Sequence, residues 1–146
     1  MKHIKAIPQI IHGIRFDSQL EAEAYRMLCC KFGRNAISCH FPVIYSADKR
    51  YNIPSLSHKI DFVIRDKDGL PVRYLEIKGK ISGTWHGKRE YIRTLIILEK
   101  IRPNIFDKYV VWVGNGSNIL HPDNESCSFM VPFPKNIEEI EGSLFL

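Results

Sequence analysis

His58-Lys59-Ile60-Asp61-Phe62-Val63-Ile64-Arg65, then Asp66-Lys67-Asp68-Gly69, then Val72-Arg73-Tyr74-Leu75-Glu76-Ile77-Lys78-Gly79-Lys80: this stretch decides how the chain is read. Two apolar-rich runs on either side of an Asp- and Gly-containing turn predict a β-hairpin. Side chains alternate along a strand, so residues i and i+2 share a face about 7 Å apart. Glu76 and Lys78 therefore point one way, and Leu75 and Ile77 point into the opposite layer. A half-buried hairpin that gathers Asp61, Glu76 and Lys78 is costly to fold unless those groups do chemistry. The stretch is read as a metal site.

Around the hairpin, 146 residues fit one domain large enough to bury a core. A composition of 45% hydrophobic and 25% charged residues is that of a globular protein and argues against disorder. The net charge of +5 suits a polyanionic partner, though charge bears on association rather than on fold. Cys29, Cys30, Cys39 and Cys127 form no C-x-x-C pair and no set with zinc spacing, so reduced thiols are expected. No apolar run approaches the roughly 18 residues of a membrane span. No signal-peptide core follows Met1-Lys2-His3-Ile4-Lys5. A soluble cytoplasmic protein is the expectation.

Upstream of the hairpin, residues 1–15 mix isoleucines with Lys2, His3, Lys5, His12 and Arg15 around Pro8 and Gly13. They read as an edge strand, a swapped arm or a basic tail, with Lys5 and Arg15 available to a polyanion. Leu20, Ala24, Met27, Leu28 and Phe32 then recur at helical spacing before Gly33, and Ser18 with Glu21 fits a capping box. Residues 36–46 predict a strand that Pro42 pushes to a sheet edge or a bulge. The connection 47–57 is long for a loop and offers Arg50, Tyr51, Asn52 and Pro54 to a ligand or a second subunit.

Downstream, residues 80–87 form a loop with Trp85 and His86. A largely buried helix is predicted over about 88–101, ended by Arg102-Pro103-Asn104, and Lys108–Val113 reads as a central strand covered on both faces. After Ser117 the pattern weakens to a loop, a short strand near Phe129–Val131 and an acidic stretch over 137–142. The order αβββαβ belongs to the mixed α/β (α+β) class, in a single domain without internal repeats.

Phosphodiester hydrolysis needs a nucleophilic water, a neutralised phosphate and a stabilised leaving oxygen, and divalent cations on carboxylates serve all three. Mg²⁺ takes oxygen ligands and keeps several waters. Asp61 and Glu76 on neighbouring strands can converge on one ion, with the carbonyl of Ile77 beside them. Lys78 can then orient the attacking water, stabilise phosphate charge or serve as the base. Read without chemistry, the same residues are a surface hairpin with a Lys78–carboxylate salt bridge, Glu21 is a helix cap, and His58 is structural.

The set Gly13-Ile14-Arg15-Phe16-Asp17-Ser18-Gln19-Leu20-Glu21, Ile60-Asp61-Phe62 and Glu76-Ile77-Lys78-Gly79 resembles the PD-(D/E)XK nuclease superfamily. More narrowly it resembles the phage endonuclease I type of Holliday junction resolvase, and it is similar to the nuclease domain of Tn7-type transposases. The resemblance spans about residues 13–115 and departs at Ile60, where the superfamily has proline. It implies a restriction-endonuclease-like core with Glu21, Asp61, Glu76 and Lys78 as catalytic residues. Glu21, Asp61, Glu76 and the Ile77 carbonyl would hold Mg²⁺, with Mn²⁺ able to substitute. It further implies four-way junction or other branched DNA as substrate, a homodimer, and a phage-infected or bacterial cell. Arg15, Lys80, His86, Lys88, Arg89 and Arg93 are candidate DNA contacts; the alternative for the helix residues is a solvated face. Other functional alternatives are a transposase-, repair- or restriction-type nuclease, or a catalytically silent DNA-binding protein of the same fold.

Overall fold

The computed structural model describes residues 8–46, 56–79, 88–114 and 129–145. It begins with a small hairpin: His12 and Gly13, at φ 52° and 77°, make the two-residue turn between β1 (Gln9–Ile11) and β2 (Ile14–Phe16). Positive φ at both turn positions matches the right-handed twist of paired strands. The described part of the amino-terminal stretch is thus a docked hairpin. Arg26 Nη2 donates to Gln9 Oε1 at 3.0 Å, and His12 Nδ1 lies 3.0 Å from the Tyr25 hydroxyl. Both partners stand on α1 (Gln19–Phe32), which Ser18 caps by accepting the Glu21 N–H at 3.1 Å and Gly33, at φ 88°, ends.

The main sheet has five strands: β3 (Ile37–Ser46), β4 (Leu56–Arg65), β5 (Pro71–Lys78), β6 (Tyr109–Val113) and β7 (Met130–Pro132), in that spatial order. The first three are antiparallel; β5, β6 and β7 are parallel. Pro42 does lie on the edge strand. The predicted hairpin turn is built by Asp66, whose Oδ1 accepts the N–H groups of Asp68 and Leu70, both at 2.9 Å. A parallel β5–β6 pair requires a crossover, and α2 (Lys88–Ile101) lies within it. α2 ends at Ile101, as the predicted stop at Arg102-Pro103 requires, and a short turn of helix, α3 (Pro103–Phe106), follows with proline at its first position where no N–H is needed.

Helices cover both faces. On one, Tyr91, Leu95 and Leu98 of α2 pack over Val63, Val111 and Val113. On the other, Tyr25 and Leu28 of α1 join Ile140 and Leu144 of α4 (Ile140–Leu144) over Leu75 and Trp112. Trp112 is fully buried and its Nε1 donates to the Ser143 carbonyl at 3.0 Å, while Arg73 Nε donates to that of Leu144 at 2.8 Å. The folded core therefore runs past residue 115, through β7 and α4. Among the described residues no helix is long and apolar enough to cross a membrane.

The alternation of side chains in the sheet breaks at one place. Along β4, Ile60 and Val63 face the α2 layer, whereas Phe62 and Ile64 face the α1 layer, so strict alternation fails at Asp61. In β3, Ile37 and Cys39 lie on the α1 side and Phe41, Val43 and Tyr45 on the α2 side. The reversal falls at His40, whose φ is 54°. The β3–β4 register pairs Cys39 with Phe62 and Phe41 with Ile60, which puts His40 opposite Asp61. Both strands turn over together. Left-handed backbone costs a side chain with Cβ roughly 1 kcal/mol, and more when that side chain is β-branched. His40→Gly should therefore leave the urea midpoint unchanged or raised, whereas His40→Val should lower stability by about 1–2 kcal/mol. Equal midpoints for the two variants would show that the turnover carries no backbone strain.

Candidate active site

Strands β4 and β5 part at Asp61. Their ladder pairs Phe62 with Leu75 and runs from there toward the turn. Before Phe62, β4 stays with β3; beyond Leu75, β5 stays with β6 as far as Lys78. At the resulting fork the Ile77 N–H donates to Asp61 Oδ2 at 2.8 Å, a side chain taking the place of a neighbouring strand.

Glu76 is only 2% exposed, although it is charged in its ordinary state. Its Oε2 lies 3.9 Å from Lys78 Nζ and its Oε1 2.9 Å from His58 Nε2. The second contact is close without being aligned: neither Oε1 nor Nε2 makes a hydrogen bond among the described residues, and the buried Tyr45 hydroxyl makes none either. Distance alone does not form a hydrogen bond, so these remain unsatisfied polar atoms. Lys78 Nζ also stands 4.4 Å from the centroid of the Tyr91 ring, and the Tyr91 hydroxyl is 2.7 Å from that of Tyr109.

Glu21 approaches from the α1 layer. The first turn of α1 lies over the carboxyl ends of β5 and β6, where the Gly114 N–H donates to the Gly79 carbonyl at 3.1 Å. A Cβ at Gly114 would stand 3.1 Å from Leu20 Cδ2, so glycine there lets α1 settle close. Burial raises the Glu21 carboxyl above its ordinary value; the charges of Asp17 and Glu76 raise it further, and Lys78 opposes them. Burial, and after it the charge of Glu76, push Asp61 up to about 9, with the Ile77 N–H and Lys78 pulling the other way and Glu21 adding to the rise. Glu21, Asp61, Glu76 and Lys78 thus interact as one electrostatic unit.

The four predicted catalytic residues are brought together, but no three His, Cys, Asp or Glu side chains among the described residues form a ready ligand set. The physical reason is visible: Asp61 is turned onto the Ile77 N–H, and Glu76 faces His58 and Lys78. Ile77, expected to offer its carbonyl, is held here by its N–H. Arg89 and Arg93 are exposed on one face of α2, four residues apart. Arg15 is exposed and sits 3.6 Å from Asp17. Lys80, His86 and the 47–55 part of the long connection lie outside the described residues, as does the side chain of Lys88. Sequence reasoning favours a structural role for His58 over a phosphate contact and does not anticipate its place against Glu76. Its signal is its place two residues before Ile60 on a strand, hence on the same buried face. No family model, curated protein or solved structure matches the chain.

Buried carboxylates that repel one another, one of them with an unsatisfied oxygen, fit a cation. An opposite charge beside Asp61 would favour its ionised form, and a dication binding there would displace a proton. Without a cation, Asp61 keeps its proton in the folded chain up to about 9, whereas the ordinary carboxyl loses it near 3.8. Between those limits the folded state binds the extra proton, so stability falls as pH rises through the window. Asp61→Asn keeps an acceptor for the Ile77 N–H and does not titrate. Urea unfolding at pH 5, 6.5 and 8 without divalent cations should show a flatter pH slope for this variant. At pH 8 it should gain stability on the order of a few kcal/mol. Parallel slopes for variant and wild type would rule out a strained carboxyl at the fork.

Proposed function

We propose that the chain is a metal-dependent DNA endonuclease that hydrolyses phosphodiester bonds, with branched DNA as its substrate. The observation that carries the enzymatic reading is the fork itself: Asp61 and Glu76 buried where two strands diverge, with Lys78 beside Glu76 and Glu21 within electrostatic reach. As a structural device this arrangement is poor, because mutually repelling buried acids oppose folding. As a cation seat it is apt. Asp61 and Glu76 would hold the ion, with Glu21 contributing from α1. When bound, a divalent cation supplies Lewis-acid charge to the phosphate and eases deprotonation of water.

The chain's own groups account for the rest. Lys78, flanked by Glu76 and the face of Tyr91, carries its ammonium on the α2 side of the fork, where it can pair with a non-bridging phosphate oxygen or hold the attacking water. The face of the tyrosine ring favours one placement of the ammonium, so less orientation entropy would remain to be lost in the reaction. Arg89 and Arg93 on the exposed face of α2 extend positive charge from the site. Contacts of that type hold the phosphate backbone without reading sequence. The branched substrate, and a two-fold dimer that would set two such sites on opposed strands, rest on the resemblance in Glu21, Asp61, Glu76 and Lys78.

The test is cleavage of a four-way junction, a flap, a linear duplex and a single strand in Mg²⁺ or Mn²⁺. Paired nicks at the junction are expected. Lys78→Ala should reduce the cleavage rate by about a hundredfold or more while junction binding by gel shift persists. Equal cutting of linear duplex would transfer the reading to a general nuclease, and no cutting of any substrate would remove the enzymatic one.

A further inference from the structure

We propose that His58 is a nitrogen ligand of the metal held at the fork, and that the site therefore prefers a first-row transition dication to Mg²⁺. This rests on the metal-site part of the nuclease reading. It adds a residue outside the acidic set and changes the class of ion.

Three observations carry it. First, His58 Nε2 and Glu76 Oε1 are 2.9 Å apart. Two donors on adjacent corners of an octahedral ion, each bonded at about 2.1 Å, stand about 3.0 Å from one another. The pair is thus already spaced as neighbouring ligands. Second, the contact does not meet hydrogen-bond geometry, although the Glu76 side chain is 3% exposed and that of His58 17%. A buried charge-assisted pair normally aligns. One that does not leaves both lone pairs directed at something else, and an unsatisfied buried polar atom points to a missing water or ion. Third, the Tyr45 hydroxyl is another such atom, and it feels the charge of Glu76. Among the described residues, the unsatisfied buried side-chain atoms are therefore Glu76 Oε1, its neighbour His58 Nε2 and a tyrosine hydroxyl within its electrostatic reach.

Strand geometry explains how His58 arrives there. His58 pairs with Val43 of β3, whose side chain lies in the α2 layer, and Ile60, two residues on, faces the same layer. Glu76 and Lys78 share that side with Tyr74. The turnover at Asp61 then turns Phe62 to the other layer, so the α2-side gap beyond Ile60 is left to polar groups. An imidazole nitrogen changes the selectivity of an otherwise carboxylate site: Mg²⁺ prefers oxygen throughout, whereas first-row transition dications accept nitrogen readily.

The experiment uses the full chain without DNA, with Mn²⁺ as the probe. Calorimetric titration should give Mn²⁺ an affinity about tenfold or more above that for Mg²⁺. Pulsed electron paramagnetic resonance of the bound Mn²⁺ should show modulation from a directly coordinated ¹⁴N. In His58→Gln the modulation should vanish and the Mn²⁺ preference should fall about tenfold. Bound Mn²⁺ with no ¹⁴N modulation in the wild type would overturn the proposal and assign the gap to water. Modulation that survives in His58→Gln would overturn it too. The wild-type spectrum needs no variant, so a misfolded substitution does not block the test. If Mn²⁺ binds without nitrogen while the junction is still cut, His58 alone has been misread. If the nitrogen signal is present and no DNA is cut, the ligand stands and the nuclease reading falls.

Discussion

The hydrogen bond from the Ile77 N–H to Asp61 Oδ2, 2.8 Å long, is the contact on which the site depends. Where two strands separate, their inner backbone groups lose partners, and a buried N–H left unpaired costs about 1–3 kcal/mol. Asp61 removes that cost by reaching across with a carboxylate. The same reach fixes the carboxyl group between the strands, where burial first and the charge of Glu76 second push its pKa up to about 9. One interaction thus lets the sheet open and leaves an acid poised in the opening. A residue in this position both closes the fork and carries a buried acid, and an isosteric amide separates the two.

The turnover of β3 and β4 at His40 and Asp61 gives the fork its second property. In a regular sheet, side chains from opposite faces are kept apart by the backbone. Here the reversal occurs at the residue where the β4–β5 ladder ends, so groups from both layers converge. Glu21 comes from a helix on one side, while Glu76 and Lys78 stand on the side of α2, yet the charges of Glu76 and Lys78 act on Glu21. The positive φ of His40, 54°, is the local strain that accompanies this convergence. Strain of this kind persists only where surrounding packing holds it, and Phe16, with its ring centroid 5.9 Å from that of His40, is part of that packing.

Much of this is legible in the sequence, because short-range rules govern it. The hairpin turn follows from Asp66 and Gly69, the α1 boundaries from Ser18 and Gly33, and the central strand from the apolar run ending at Val113. The shared face of Glu76 and Lys78 follows from alternation, and the nearness of Asp61 follows from the hairpin, although its turn onto the Ile77 N–H does not. What escapes reading depends on contacts between distant segments. The β1–β2 hairpin is three residues a side and gains its stability by docking on α1 through Gln9 and His12. The carboxyl-terminal strand is legible as a short apolar run, but its pairing with β6 is not, and α4 is too short to announce itself and is held by Trp112 and Arg73 through the carbonyls of Ser143 and Leu144. Alternation puts His58 on the face of Ile60 and, applied strictly, opposite to Asp61, so its approach to Glu76 emerges only from the packed sheet.

The electrostatics of the fork bear on which role the site can have. A salt-bridged surface hairpin would leave its carboxylates hydrated, with their protons lost at ordinary acidity. Instead, burial is the largest cause raising both Asp61 and Glu21, and the charge of Glu76 adds to each. Lys78 supplies a single positive charge to this group, and part of its environment is the face of Tyr91. Protonation can relieve the excess negative charge, but a proton satisfies only one oxygen and leaves the misaligned His58–Glu76 contact as it is. A dication relieves several carboxylates at once and takes up lone pairs that hydrogen bonding leaves unused. The pattern of burial, repulsion and unsatisfied atoms is thus better matched by an ion than by a proton, and this match is independent of which DNA the site would cut.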